Sequence, residues 1–186
     1  MFSPQRNIEV KEQTKLLGLT IQSNLKWKAN TESIVKKAYK KLWLIRRLKK
    51  LGASRNDLLD MYIKQVRCQL EYAAPVWHHA ITLEEKQDLE RVQKSALRII
   101  FGSEYETYDY ALNLCNIQKL ETRRDLIGSK FATKSVKHKK NWFVPKPRVG
   151  MRNQKSYITP IARTERLKES PIYSLINIMN QRSSKK

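Results

Sequence analysis

Acidic residues are scarce in this 186-residue chain: 17 Asp and Glu stand against 38 Lys and Arg, for a net charge of +21. Cysteine and glycine are scarce too, at two and five. Each shortage excludes something. No stretch approaches the about 18 consecutive apolar residues that read as a membrane span. Met1-Phe2-Ser3-Pro4 supplies no apolar signal core, so the sequence reads as intracellular, with nucleus and cytoplasm left open. Cys68 and Cys115 form no C-x-x-C and read as two buried thiols in a reducing compartment. There is no glycine-rich phosphate loop and no G-x-S-x-G. Asp57, Asp60, Asp88, Asp109 and Asp125 are never adjacent, so no pair of acids stands at active-site spacing. The expectation is no enzyme, no catalytic residue and no cofactor. His78-His79 invites a metal reading. Adjacent histidines on a regular helix cannot both face one ion, however, and no cysteine or carboxylate cluster lies near them in sequence. The expectation is no metal site, with the pair at the surface or in a cap.

What is present is a segregated positive charge. Hydrophobic residues make up 40%, enough for one domain or a domain plus a tail. Residues 26–50 hold ten Lys and Arg against Glu32, and residues 128–156 hold nine against no acid. Residues 53–102, with the clearest core pattern, balance seven of each sign. A general basic coat would not divide in this way, and the division favours directed binding of a polyanion.

Ile8-Glu9-Val10 and the run Leu16 to Ile21 read as two short strands, the end of a larger sheet, as if the chain began inside a domain. Asn30 or Thr31 is a cap for a helix reaching about Leu51 and stopped by Gly52. Ile34, Ala38, Leu42, Ile45 and Leu48 form its apolar stripe. Ser54 caps the next helix, whose inner face is Leu58, Tyr62, Val66 and Leu70, and Pro75 ends or kinks it. Thr82 and Glu85 form a capping box for a third helix with core residues Leu89, Val92, Ala96, Ile99 and Ile100. Thr107 caps a short helix to about Leu114. A further helix spans about Ile117 to Val136, with Leu120, Ile127 and Phe131 inward. From His138 to Pro160 the pattern gives way to a basic, extended stretch, and Ser170-Pro171 opens a terminal helix to about Asn180.

The candidate binding surface lies on the first long helix. Lys36, Lys40, Trp43, Arg47 and Lys50 share one stripe, flanked by Lys37, Lys41, Arg46 and Lys49. A helix with a cation at each turn can follow a phosphate backbone, and Trp43 can stack on a base or lie on a sugar. The same run also describes a solvated face, with Trp43 packed on a missing partner; the excess of charge favours nucleic acid. Arg91, Lys94 and Arg98 lie on the far face of the third helix. The tail from Lys130 to Lys155, with Lys139 and Lys140, offers Trp142, Phe143 and Tyr157 for stacking, or folds onto the helices as a linker.

Several segments in one order carry a resemblance. They are Leu16-Leu17-Gly18-Leu19-Thr20-Ile21 with Leu25-Lys26-Trp27, then Leu70-Glu71-Tyr72-Ala73-Ala74-Pro75-Val76-Trp77, then Leu89-Glu90-Arg91-Val92-Gln93-Lys94 with Ala96-Leu97-Arg98-Ile99-Ile100. Tyr108, Leu112, Leu120, Arg123 and Arg124 follow, and then Ala162 to Arg166 and Ser170-Pro171-Ile172. Together they resemble the C-terminal thumb region of reverse transcriptases from jockey-type non-LTR retrotransposons. The resemblance implies helices that grip a template–primer duplex, with Leu17 and Gly18 near the primer terminus as a primer grip. That family synthesises DNA with metal ions held by an Asp-Asp pair. This chain has no such pair, so the resemblance carries over holding without chemistry.

The resulting expectation is a mainly α helical bundle, thumb-like, with a small N-terminal β-hairpin and a basic, partly irregular C-terminal arm. Residues 1–25 would be a palm-end hairpin remnant, 26–137 the helical domain and 138–186 the arm. The partner would be an RNA, DNA or hybrid duplex, with the missing polymerase domains as a further partner. The alternatives are a helical module that docks on a polymerase remainder or on itself through Trp43, Leu44 and Leu51, and a transposon remnant without selected function.

Overall fold

Leu17 and Gly18 both sit at positive φ, 47° and 82°, as a tight two-residue hairpin turn requires. They join strands β1 (Gln13–Leu16) and β2 (Leu19–Gln22), which pair antiparallel from Gln13 opposite Gln22 to Leu16 opposite Leu19. A computed structural model of the protein describes residues 10–138, 141–146 and 156–183. The run from Leu16 to Ile21 is therefore the tip of the hairpin and not one strand. Glycine was the signal; the leucines around it hid the turn. Val10 is exposed coil, and Ile8 and Glu9 lie outside the described residues.

The hairpin is fastened to helix α1 (Lys28–Lys50) by two side chains. Gln22 Oε1 accepts the Ala29 N–H at 3.0 Å, and Asn30 Oδ1 accepts the Thr20 N–H at 3.1 Å. Gln22 thus covers an orphan amide in the first turn of α1 from a neighbouring strand. Asn30 and Thr31 are buried inside the helix and do not cap it; Trp27 stands at the cap position without a side-chain hydrogen bond. At the other end Gly52 takes φ 83° and ends the helix as expected.

Ser54 accepts the Asp57 N–H and starts α2 (Arg55–Met61). A π-helical turn (Tyr62–Arg67) links it to α3 (Cys68–Glu71), with Leu58, Tyr62, Val66 and Leu70 all buried. The break comes at Tyr72-Ala73, where Ala73 is left-handed at φ 51°. Pro75 lies two residues later, in the first turn of α4 (Ala74–Trp77), a position that needs no N–H donor. A 3₁₀ turn (His78–Ala80) leads to α5 (Leu83–Phe101), whose Thr82–Glu85 capping box forms as the sequence predicts.

After α6 (Tyr108–Leu114), capped by Thr107, comes α7 (Leu120–Lys137). Its buried face is Leu120, Arg124, Gly128, Ala132 and Ser135, whereas Phe131 is 40% exposed. Small residues hold that face because α9 (Pro171–Ser183) packs closely along it; α8 (Glu165–Lys168) precedes α9. Helices α1 to α6 and the start of α7 enclose one core around Leu42, Ile45, Tyr62, Leu70, Trp77, Leu89 and Leu97. A second cluster of Ala132, Phe143, Leu175 and Ile176 joins α7, α9 and the segment between them. The protein is mainly helical, with one small antiparallel hairpin. Among the described residues no helix is long and apolar enough to cross a membrane.

Candidate nucleic-acid interface

The apolar stripe of α1 is buried at Ile34, Ala38, Leu42 and Ile45, and this sets which residues face water. Lys36, Lys37, Lys40, Trp43, Arg46, Arg47 and Lys50 are all exposed. Among the described residues none of these six cations makes an ion pair or a side-chain hydrogen bond. Arg47 lies with its Cζ 5.4 Å from the centre of the Trp43 ring. Trp43 is 57% exposed and Leu51 76%, and Arg46 and Lys50 complete the shallow hollow around them.

Two flanking lysines point elsewhere. Lys41 Nζ donates to the Gln65 carbonyl at 2.8 Å. Lys49 Nζ donates to the carbonyls of Ile99 and Ile100 at 2.6 and 3.1 Å, on the last turn of α5, where a cation suits the helix dipole. Sequence spacing does not separate these two from their free neighbours, because the separation depends on where the π-helical turn and the last turn of α5 lie against α1.

The α5 cations are less free. Arg91 pairs with Asp88, Lys94 stands 5.2 Å from the Tyr108 ring centre, and Arg98 stands 5.4 Å from that of Tyr105. Lys139 and Lys140 lie outside the described residues. The stacking role expected of Phe143 does not hold: it is buried against Tyr157 edge-on, with ring centres 5.5 Å apart. Trp142 stays 39% exposed. At the hairpin tip Leu17 is exposed, its carbonyl accepts the Tyr72 hydroxyl at 2.8 Å, and the Tyr72 ring lies beside Gly18.

The histidine pair is not at the surface. His78 is 1% exposed, accepts the Arg124 Nε–H at its Nδ1 at 3.1 Å, and meets Asp125 Oδ1 with Nε2 at 3.0 Å. A ring that accepts at Nδ1 carries its proton on Nε2 and gives it to Asp125. Asp125 is held below the usual carboxylate range chiefly by that bond, and burial lowers the Arg124 guanidinium. Burial likewise lowers His79, whose Nε2 is enclosed without a partner. His78, His79 and Asp125 bring three ligand atoms within 4.8 Å, a grouping invisible in sequence because Asp125 comes from α7. Through these two bonds His78 links the turn that follows α4 to Arg124 and Asp125 of α7.

The cysteines also depart from expectation. Cys68 is exposed, with its thiol donating to the Lys64 carbonyl, and Cys115 is half-buried with its pKa raised by burial.

Comparisons with models of known protein families, with curated proteins and with solved structures found no match.

Proposed function

We propose that this chain is a non-catalytic nucleic-acid-binding protein, thumb-like and derived from a jockey-type non-LTR reverse transcriptase, that grips a duplex through its phosphates. One observation carries the reading: six cations, unpaired among the described residues, project into water from one helix of a protein with net charge +21. Exposed carboxylates could neutralise such a ridge internally, yet among the described residues none pairs with it; Asp60 pairs with Lys64 and Asp88 with Arg91. A polyanion relieves the repulsion and releases counterions on binding. Contacts of this kind position a backbone without reading bases, so the affinity is largely independent of sequence. The hairpin tip, with Leu17 and Gly18 fixed against Tyr72, is the place where a strand terminus would sit.

The test is charge reversal of Lys36, Lys40, Arg47 and Lys50 to Glu, with duplex affinity read by fluorescence anisotropy and folding checked by circular dichroism. A folded variant that has lost most of its affinity supports the ridge, and one that binds as tightly as the parent refutes it.

The exposure of Trp43 and Leu51 favours a second reading, docking of another helix or a second copy on this face. Stable self-association at high salt without nucleic acid, seen by native mass measurement, selects it.

A further inference from the structure

Two exposed aromatic rings stand inside the cationic ridge. Tyr39 is 38% exposed and Trp43, four residues on, is 57% exposed, so both lie on one face of α1 a turn apart. The core uses a different stripe of the helix, and among the described residues the Tyr39 hydroxyl makes no hydrogen bond. Trp43 shares a shallow hollow of 440 Å³ with Arg46, Arg47, Lys50 and Leu51, within the range of about 300–1,000 Å³ typical of small-ligand sites. The Arg47 guanidinium stands over the indole and limits its freedom, yet more than half of Trp43 stays open. Arg46, Arg47 and Lys50 have no carboxylate partner among the described residues.

We propose that Tyr39 and Trp43 form a stacking platform for unpaired bases, so that the ridge prefers a duplex carrying a single-stranded extension. This rests on the nucleic-acid reading above and names the form of nucleic acid that the ridge takes. The occupant must offer a flat apolar face and an anion beside it, which describes a nucleotide. A base paired inside a duplex keeps its faces covered by its neighbours and offers them to neither ring. The two rings stand about 6 Å apart along the helix axis, wider than the about 3.4 Å step of stacked bases, so bases that reach both are splayed apart. An apolar protein helix laid on this face would take the surrounding cations out of water without pairing them. Every base has a stacking face, so the platform keeps the binding independent of sequence.

Fluorescence anisotropy of the intact chain at low salt tests the proposal with three probes: a blunt duplex, the same duplex with a short single-stranded extension, and that extension made abasic. The two extended probes carry the same phosphates, and only one carries bases. The base-bearing extension should bind about tenfold tighter than the abasic one, the scale of one stacked base. Trp43→Leu and Tyr39→Leu, each shown to be folded by circular dichroism, should bring that ratio toward one and leave the blunt-duplex affinity and its salt dependence unchanged. Equal affinity of the parent for the two extended probes overturns the proposal, as does a ratio unchanged in both variants. Loss of self-association at high salt in Trp43→Leu, with the ratio unchanged, overturns it in favour of protein docking. Capture of the blunt duplex without a gain from the bases sinks this inference alone, whereas failure to capture any probe sinks the ridge as well.

Discussion

The Lys49 ammonium lies 2.6 Å from the carbonyl oxygen of Ile99, and one residue on, Lys50 faces open water. Two neighbouring lysines thus do different work: the first closes the C-terminal end of α5, and the second belongs to the ridge. Lys49→Met should lower stability by about 1–2 kcal/mol, since it strips a charged donor from partly buried carbonyls. Lys50→Met should leave stability within about 0.5 kcal/mol and weaken nucleic-acid binding instead. Urea unfolding of the two variants separates these roles.

Gly102 meets the same ammonium. A Cβ built there would lie 2.6 Å from Lys49 Nζ, and the backbone is at φ 62°. Gly102→Ala is expected to displace Lys49 and to strain the turn, costing about 1–2 kcal/mol. Combined with Lys49→Met, its cost should shrink to the backbone part alone. A double-mutant cycle measures the difference.

Tyr62 is wholly buried and donates to Gln93 Oε1 at 2.5 Å; Gln93 Nε2 in turn donates to the Tyr108 hydroxyl at 2.7 Å and to the Gln118 carbonyl at 3.1 Å. Tyr108 then donates to Glu90. Burial raises both phenols well above their usual range, so the network stays neutral on the tyrosine side at any ordinary pH. Tyr62→Phe leaves the Gln93 oxygen without its donor and should cost about 1–3 kcal/mol. Gln93→Leu orphans several partners at once and should cost more. Thermal unfolding ranks the two.

His79 and Asp125 each contribute to the response to acid. Burial lowers the folded pKa of His79 below the about 6.5 of the unfolded chain. The unfolded state therefore binds the proton first, and stability falls as pH drops through about 6.5 toward the folded value. Asp125, lowered mainly by its bond to His78, adds a second loss at lower pH, beginning near the unfolded value of about 3.9. His79→Gln should flatten the first loss and leave the second. Melting temperature measured from pH 7.5 to pH 3 resolves the two windows.

Much of the fold was legible in residue spacing. The α1 and α5 stripes, the Ser54 and Thr107 caps and the Thr82–Glu85 box are local patterns, and each forms. What escaped is nonlocal. Gln22 caps α1 from a strand, Lys49 caps α5 from α1, and Arg124 reaches His78 from α7. Phe131 fits an apolar period, yet it faces outward, because α9 approaches closely along the small residues Gly128 and Ala132. The segments that carry the resemblance also meet in space: Glu71 pairs with Arg123, its Oε2 lying 3.1 Å from Nη2, and the Arg124 Cζ stands 5.9 Å from the centre of the Trp77 ring. Those side chains hold helices together. The free ridge rests on charge alone and was visible from the start, apart from Lys41 and Lys49.

The most direct test of the ridge is a titration of the intact protein with a fluorescent duplex across a series of salt concentrations. The account predicts tight capture at low salt and a log–log slope of roughly −4 to −7, as expected for neutralising roughly 4–8 phosphates. Failure to capture any oligonucleotide at low ionic strength, or an affinity that ignores salt, would contradict it.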